Sequence, residues 1–180
     1  MKSGFFAALL ITAAASHASA EEFDLQQYAR RTAEIQQAGM ITLGSWAVAN
    51  IAGNSALLVA SDEYDDFALM NLGWAGINLG LATIGYRGAS MDLEPSLRSL
   101  TRRQRRLEHA FLFNTGLDVG YVFAGLWLTE LANRSDRSEQ LAGFGSALIV
   151  QGSFLFAFDL VMYLIQGVRG RALYQALPAG

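Results

Sequence analysis

Two carboxylic acids, Asp118 and Asp159, fall inside long apolar stretches, together with Asn50, Asn54, Asn71, Asn78, Asn114 and Gln151. Polar and ionisable groups at such depth are expensive in lipid, so they should face other helices or a wet cavity. Carboxyls backed by amides and by the hydroxyls of Tyr121 and Tyr163 could relay a proton, coordinate a cation or hold a small polar ligand. Two buried like charges repel in a medium that solvates neither. Asp118 and Asp159 are therefore expected to share at least one proton, with Asn78, Asn114 and the tyrosines as hydrogen-bond partners. Asn114 and Tyr121 lie four before and three after Asp118, and Tyr163 lies four after Asp159, which is one helical face in each case. The alternative role for the same residues is a satisfied polar network that only fixes helix register.

The elements that must position these groups are four apolar stretches, at about 38–60, 68–86, 110–132 and 141–166. At about 1.5 Å per residue each can cross a hydrocarbon layer of about 30 Å. Short polar connections, 61–67 and 133–140, make each consecutive pair an antiparallel hairpin. The predicted fold is all-α, a bundle of four transmembrane helices built from two hairpins.

Counting inward from the face that carries the middle connection (side P), Asp118, Asp159 and Asn78 all lie at about 10–12 Å, and Trp46 is level with them. Four helices thus reach one polar layer. Asn50, Asn54, Asn71 and Gln151 form a second, deeper group.

Two amphipathic segments precede spans 1 and 3. Leu25, Tyr28, Thr32 and Ile35 are spaced as on a helix face,. In the middle connection Pro95 suits a first helical turn. Leu97, Leu100 and Leu107 follow on one side, and Arg98, Arg102, Arg103, Arg105 and Arg106 take much of the other. That arginine cluster is a candidate contact for anionic lipid or an acidic partner.

Small residues recur four apart: Ala49 and Gly53, Ala52, Ala56 and Ala60, Gly76 and Gly80, Gly116 and Gly120. Lipid gives helices no hydrophobic reason to associate, and such pairs let backbones approach closely. They are expected to pack the bundle, and Trp46, Trp74 and Trp127 are expected to fill it. A shift of 72 residues aligns Arg30-Arg31 with Arg102-Arg103, Gly44 with Gly116, Gly53 with Gly125, Gly73 with Gly145 and Gly80 with Gly152. The pattern fits a duplicated hairpin whose two copies share one orientation.

Composition excludes more than it supports. The chain is 52% hydrophobic and 16% charged, against about 25% charged in soluble domains. Residues 1–20 read as a secretory signal: Lys2, an apolar run, then Ala18-Ser19-Ala20 as the cleavage site,. A single mature domain, 21–180, would remain. It has no Cys and no Lys, and His109 is its one histidine. Thiolate and multi-histidine metal sites, Schiff-base lysines and phosphate-loop lysines are therefore excluded. No cofactor or metal is expected, and a net acidic membrane chain is not a nucleic-acid binder.

Orientation signals conflict. A cleaved signal places side P in the periplasm, whereas six arginines in the middle connection would draw it to the cytoplasm. The signal is given the greater weight, the orientation stays contested, and the chain is expected in the inner membrane.

Four segments, LGSWAVANIAG (43–53), MNLGWAGINLG (70–80), FNTGLDVGY (113–121) and QGSFLFAFDLVMY (151–163), resemble a family of small four-span bacterial membrane proteins known only as a domain of unknown function. The resemblance implies four membrane helices and a signal-like start, and carries no activity. The expected function is a non-enzymatic structural or accessory component of a membrane assembly, with the bilayer and a membrane-protein partner or a second copy as its contacts. The rival is an oligomeric proton- or cation-linked channel or transporter that uses Asp118 and Asp159.

Overall fold

A computed structural model describes residues 23–89 and 94–177. The signal sequence proposed for residues 1–20 lies outside the described residues. Four long helices account for nearly all of the rest: α1 (Leu25–Ala60), α2 (Asp65–Gly88), α3 (Leu97–Ala132) and α4 (Ser138–Gln175). All four are long and apolar enough to cross a membrane. One short 3-10 turn, Asp62–Tyr64, joins α1 to α2.

The caps explain where the helices start. Asp24 accepts a hydrogen bond from the Gln27 backbone N–H at α1, and Ser96 forms a reciprocal capping box with Ser99 at α3. Each satisfies a first-turn N–H that would otherwise lack a partner. The amphipathic segments seen in the sequence continue without a break into spans 1 and 3, as the N-terminal turns of α1 and α3. At about 1.5 Å per residue, α3 with its 36 residues is much longer than the hydrocarbon layer. The surplus projects on side P.

The ends of α1 and α3 are themselves related by the 72-residue shift, and both helices have 36 residues. The match is confined to this pair: α2 has 24 residues and its repeat counterpart α4 has 38. Packing is less symmetrical. α3 and α4 pair closely along their length, α2 packs on both α1 and α4, and α1 meets α3 only sparingly.

Glycine explains the close α3–α4 pairing. A Cβ on Gly125 would lie 2.6 Å from the Gly145 carbonyl oxygen, and one on Gly145 would lie 2.7 Å from that of Gly125. Gly152 is similarly covered by Val122 and the Asp118 backbone at about 3 Å. The expected packing pairs behave differently. A Cβ added at Gly53, Gly76, Gly80, Gly116 or Gly120 meets nothing within 4 Å. Ala49, Ala52, Ala56 and Ala60 are exposed as well. These small-residue faces lie on the outside of the bundle, contrary to the expectation that they pack it. Within one chain that role falls to Gly125, Gly145 and Gly152 between α3 and α4, and to Gly143, where a Cβ would lie 2.9 Å from the Phe67 backbone nitrogen of α2.

Trp127 also departs from expectation. It is 65% exposed, on the lipid face near the far end of its span, where an amphipathic ring is well placed at the interface. Trp46 and Trp74 are half-buried as anticipated; Trp46 stacks on Phe154 at 4.0 Å and Trp74 meets Tyr121 edge-on at 4.8 Å.

Candidate functional site

The buried polar side chains sort into three layers along the bundle. The deepest is centred on Gln151 of α4, which is fully buried. Its Nε2 donates to Asn50 Oδ1 at 2.9 Å and to Asn71 Oδ1 at 2.6 Å. Its Oε1 accepts from Trp46 Nε1 at 3.0 Å and from Asn78 Nδ2 at 3.4 Å. A primary amide offers two donors and two acceptor lone pairs, so Gln151 is saturated. It ties α1, α2 and α4 together by side-chain hydrogen bonds, alongside the apolar cluster of Leu43, Ala82 and Leu155. Asn50, Asn54 and Asn71 each also donate to the backbone carbonyl four residues back, which leaves their side-chain oxygens turned towards the interior. Asn54 reaches this group only through Asn50, at 3.5 Å.

The sequence placed Asn78 and Trp46 level with the carboxyls, and both in fact donate to Gln151. Asn78 still borders the next layer, so it joins the two.

That middle layer holds Asp118 and Asp159. Both are buried, at 3% and 5% exposure, and their carboxyls face each other within hydrogen-bonding reach across the α3–α4 contact. Asn114 lies within reach of Asp159. Asp118 Oδ2 is buried with no hydrogen-bond partner. The pair borders a cavity of about 350 Å³ whose wall includes Asn78, Asn114 and Tyr121 and is otherwise apolar. Five of the six residues proposed for this layer therefore gather around one space. The sixth, Tyr163, packs instead beside Met40, Phe111 and Met162.

The third layer lies on side P, beyond the spans, and was not foreseen. Tyr28 OH donates to Gln104 Oε1 at 2.8 Å, and Gln104 Nε2 donates to the Gln166 carbonyl at 2.7 Å and to Glu108 at 2.9 Å. Tyr174 OH donates to Glu108 at 3.0 Å. Arg169 donates to the Tyr28 carbonyl and to Thr32 Oγ1, and its guanidinium lies over the Tyr28 ring at 4.9 Å. Burial pushes the Tyr28 hydroxyl up to about 12, so it stays protonated and keeps donating. A small apolar cluster of Tyr28, Ala29, Leu100 and Leu173 sits beside these bonds. Together they clamp the projecting ends of α1, α3 and α4. Gln104 and Gln166 escaped notice because glutamine near a helix end usually signals solvent. The available signal was Leu100, Gln104 and Leu107 sharing one helical face.

Replacing Gln104 by Ala is expected to loosen this clamp while leaving the spans folded. Hydrogen exchange should rise at 25–35 and 98–108 and stay unchanged near Gln151. Equal loss of protection throughout the chain would contradict an independent side-P layer.

The arginines of the middle connection divide. Arg98, Arg102, Arg105 and Arg106 are exposed. Arg105 lies over the Tyr174 ring at 5.7 Å, and the half-buried Arg103 donates to Gln36 at 3.2 Å. Two of the five candidates are thus engaged within the chain.

A model of a family of unknown function, DUF6992, matches residues 42–160. The chain belongs to that family. The matched region of this DUF6992 protein contains the whole Gln151 network and both carboxyls, and excludes most of the side-P clamp. No curated protein and no solved structure matches the chain.

Proposed function

We propose that this DUF6992 protein is a non-enzymatic, multi-pass membrane component that associates with another membrane helix through the outer faces of its first hairpin. The observation that carries the reading is the fate of the repeated glycines. Gly125 and Gly145 interlock in the second hairpin, whereas their repeat counterparts Gly53 and Gly73 have nothing within 4 Å. The same surface chemistry is consumed inside one hairpin and left free in the other. In lipid, close approach at such faces is what drives helices together. Ala49, Ala52, Ala56 and Ala60 extend the free face of α1, and Gly76 and Gly80 that of α2. The saturated Gln151 layer supplies a rigid platform for them.

Photocrosslinking in native membranes tests this. A benzoylphenylalanine at position 49, 53 or 76 should give a discrete adduct, and one at Val168 or Phe123, also exposed, should give none. Uniform labelling at all positions would contradict a specific face.

The rival reading, proton- or cation-linked transport, is favoured by one observation: Asp118 Oδ2 lacks a donor beside a cavity. Against it, the Gln151 layer fills the bundle on the far side of that cavity with satisfied bonds. Liposomes containing the purified chain should show no proton or cation flux above empty liposomes, and Asp118→Asn with Asp159→Asn should change nothing. Flux abolished by that double substitution would establish transport.

Location in a bacterial inner membrane after removal of residues 1–20 belongs to the same proposal. N-terminal sequencing of the membrane-extracted protein should begin at Glu21.

A further inference from the structure

The Asp118–Asp159 cavity opens sideways. α2 and α3 border it but share no extensive contact with each other, so the bundle is parted there. The lips of the gap are apolar side chains turned outward: Ile77 and Leu81 on α2 are each 55% exposed, and Leu117 on α3 is 42% exposed. In a bilayer such an opening faces acyl chains. Its volume of about 350 Å³ falls at the lower end of the roughly 300–1,000 Å³ typical of small-molecule sites. Most of the wall is apolar, and both carboxyls lie at its α3–α4 end.

At that end the chemistry is one-sided. Asp118 is 97% buried by its 3% exposure, and its Oδ2 accepts nothing. Asp159 faces it, with Asn114 within reach. A ligand N–H can serve this buried acceptor in place of the proton that the two facing carboxyls otherwise share. Two carboxyls also favour a positive head over a neutral or negative one. Asn78 Nδ2 donates to Gln151, and Asp118 Oδ2 takes no hydrogen bond from it.

We propose that this cavity is a binding site for an amphiphile with a primary amine head, entering from the bilayer between α2 and α3. The ammonium sits between Asp118 and Asp159 and donates to Asp118 Oδ2, and the alkyl body lies along the apolar wall and leaves between Ile77, Leu81 and Leu117. The inference goes beyond the association reading above and stands or falls separately, since it concerns the inside of the bundle.

The test uses the full chain in phosphatidylcholine nanodiscs and tritiated dodecylamine, with empty nanodiscs subtracted. Saturable binding is expected, with dodecanol and dodecanoate competing about tenfold or more weakly than unlabelled dodecylamine. Asp118→Asn should abolish the preference for the amine over the alcohol. Leu81→Trp, on an exposed lip and away from the carboxyls, should block entry and reduce binding while circular dichroism stays unchanged. Phosphatidylethanolamine doped into the nanodisc distinguishes the source of the amine. Competition assigns the site to a lipid head, and lack of competition assigns it to a free amine. Equal competition by dodecanol, or unchanged binding in folded Asp118→Asn or Leu81→Trp protein, would overturn the proposal.

Discussion

Replacing Gln151 by Leu should be the most damaging polar-to-apolar change in this protein, lowering bundle stability by about 2–4 kcal/mol. The side chain is fully buried and makes four side-chain hydrogen bonds, to two residues of α1 and two of α2. Removing it strands the Asn50 and Asn71 oxygens and the donors of Trp46 and Asn78 together. Each stranded group costs about 1–3 kcal/mol in a protein interior. Measured interhelical bonds in membranes average nearer 0.6 kcal/mol, because the membrane-embedded unfolded chain also finds partners. The lower estimate reflects that offset. Single losses should be milder: Asn78→Leu removes only the 3.4 Å bond. Steric trapping or denaturation in mixed micelles measures both, and a Gln151→Leu protein as stable as the parent would remove the hub from the account.

The second large effect is steric. Gly145→Val should separate α3 from α4 at their closest point and cost about 3 kcal/mol or more, the upper end for overpacking a filled interior. The new Cβ would stand 2.7 Å from the Gly125 carbonyl oxygen and 2.9 Å from the Thr129 backbone nitrogen. These are backbone atoms, so no side chain can move aside. Gly76→Val and Gly116→Val put the same atoms into open space. They should change the stability of the isolated chain by less than about 0.5 kcal/mol, as surface changes do. The contrast separates packing inside the chain from packing against a partner. Equal destabilisation by Gly145→Val and Gly116→Val would contradict the assignment of faces.

What the sequence made legible follows from the helical period. Asp118 with Asn114 and Tyr121, and Asn50 with Asn54, each sit on one side of one helix, and the depth count brought Asp118 level with Asp159 before any packing was known. What stayed hidden was which side of each helix meets protein. In water the polar face of an amphipathic helix marks the outside, but in lipid both faces are apolar. Gly76-x-x-x-Gly80 on the outside and Gly125 on the inside therefore look alike in sequence. The outward position of Trp127 is hidden in the sequence for the same reason. Tyr163 shows a different limit: sharing a face with Asp159 at i+4 does not ensure contact, because Met40 and Phe111 claim its side of α4. The side-P clamp was missed because Tyr28, Gln104, Gln166 and Arg169 come from three helices with no common spacing.

The free glycine face of the first hairpin is the feature on which the functional account rests. The measurement that tests it most directly is the mass of the complex extracted from native membranes in mild detergent, for the parent chain and for the Gly53→Leu, Gly76→Leu double variant. The parent should migrate in a defined complex larger than one chain. The double variant should be released as a folded monomer of unchanged intrinsic stability. A parent chain extracted as a lone monomer, or a complex that survives the double substitution intact, would contradict it.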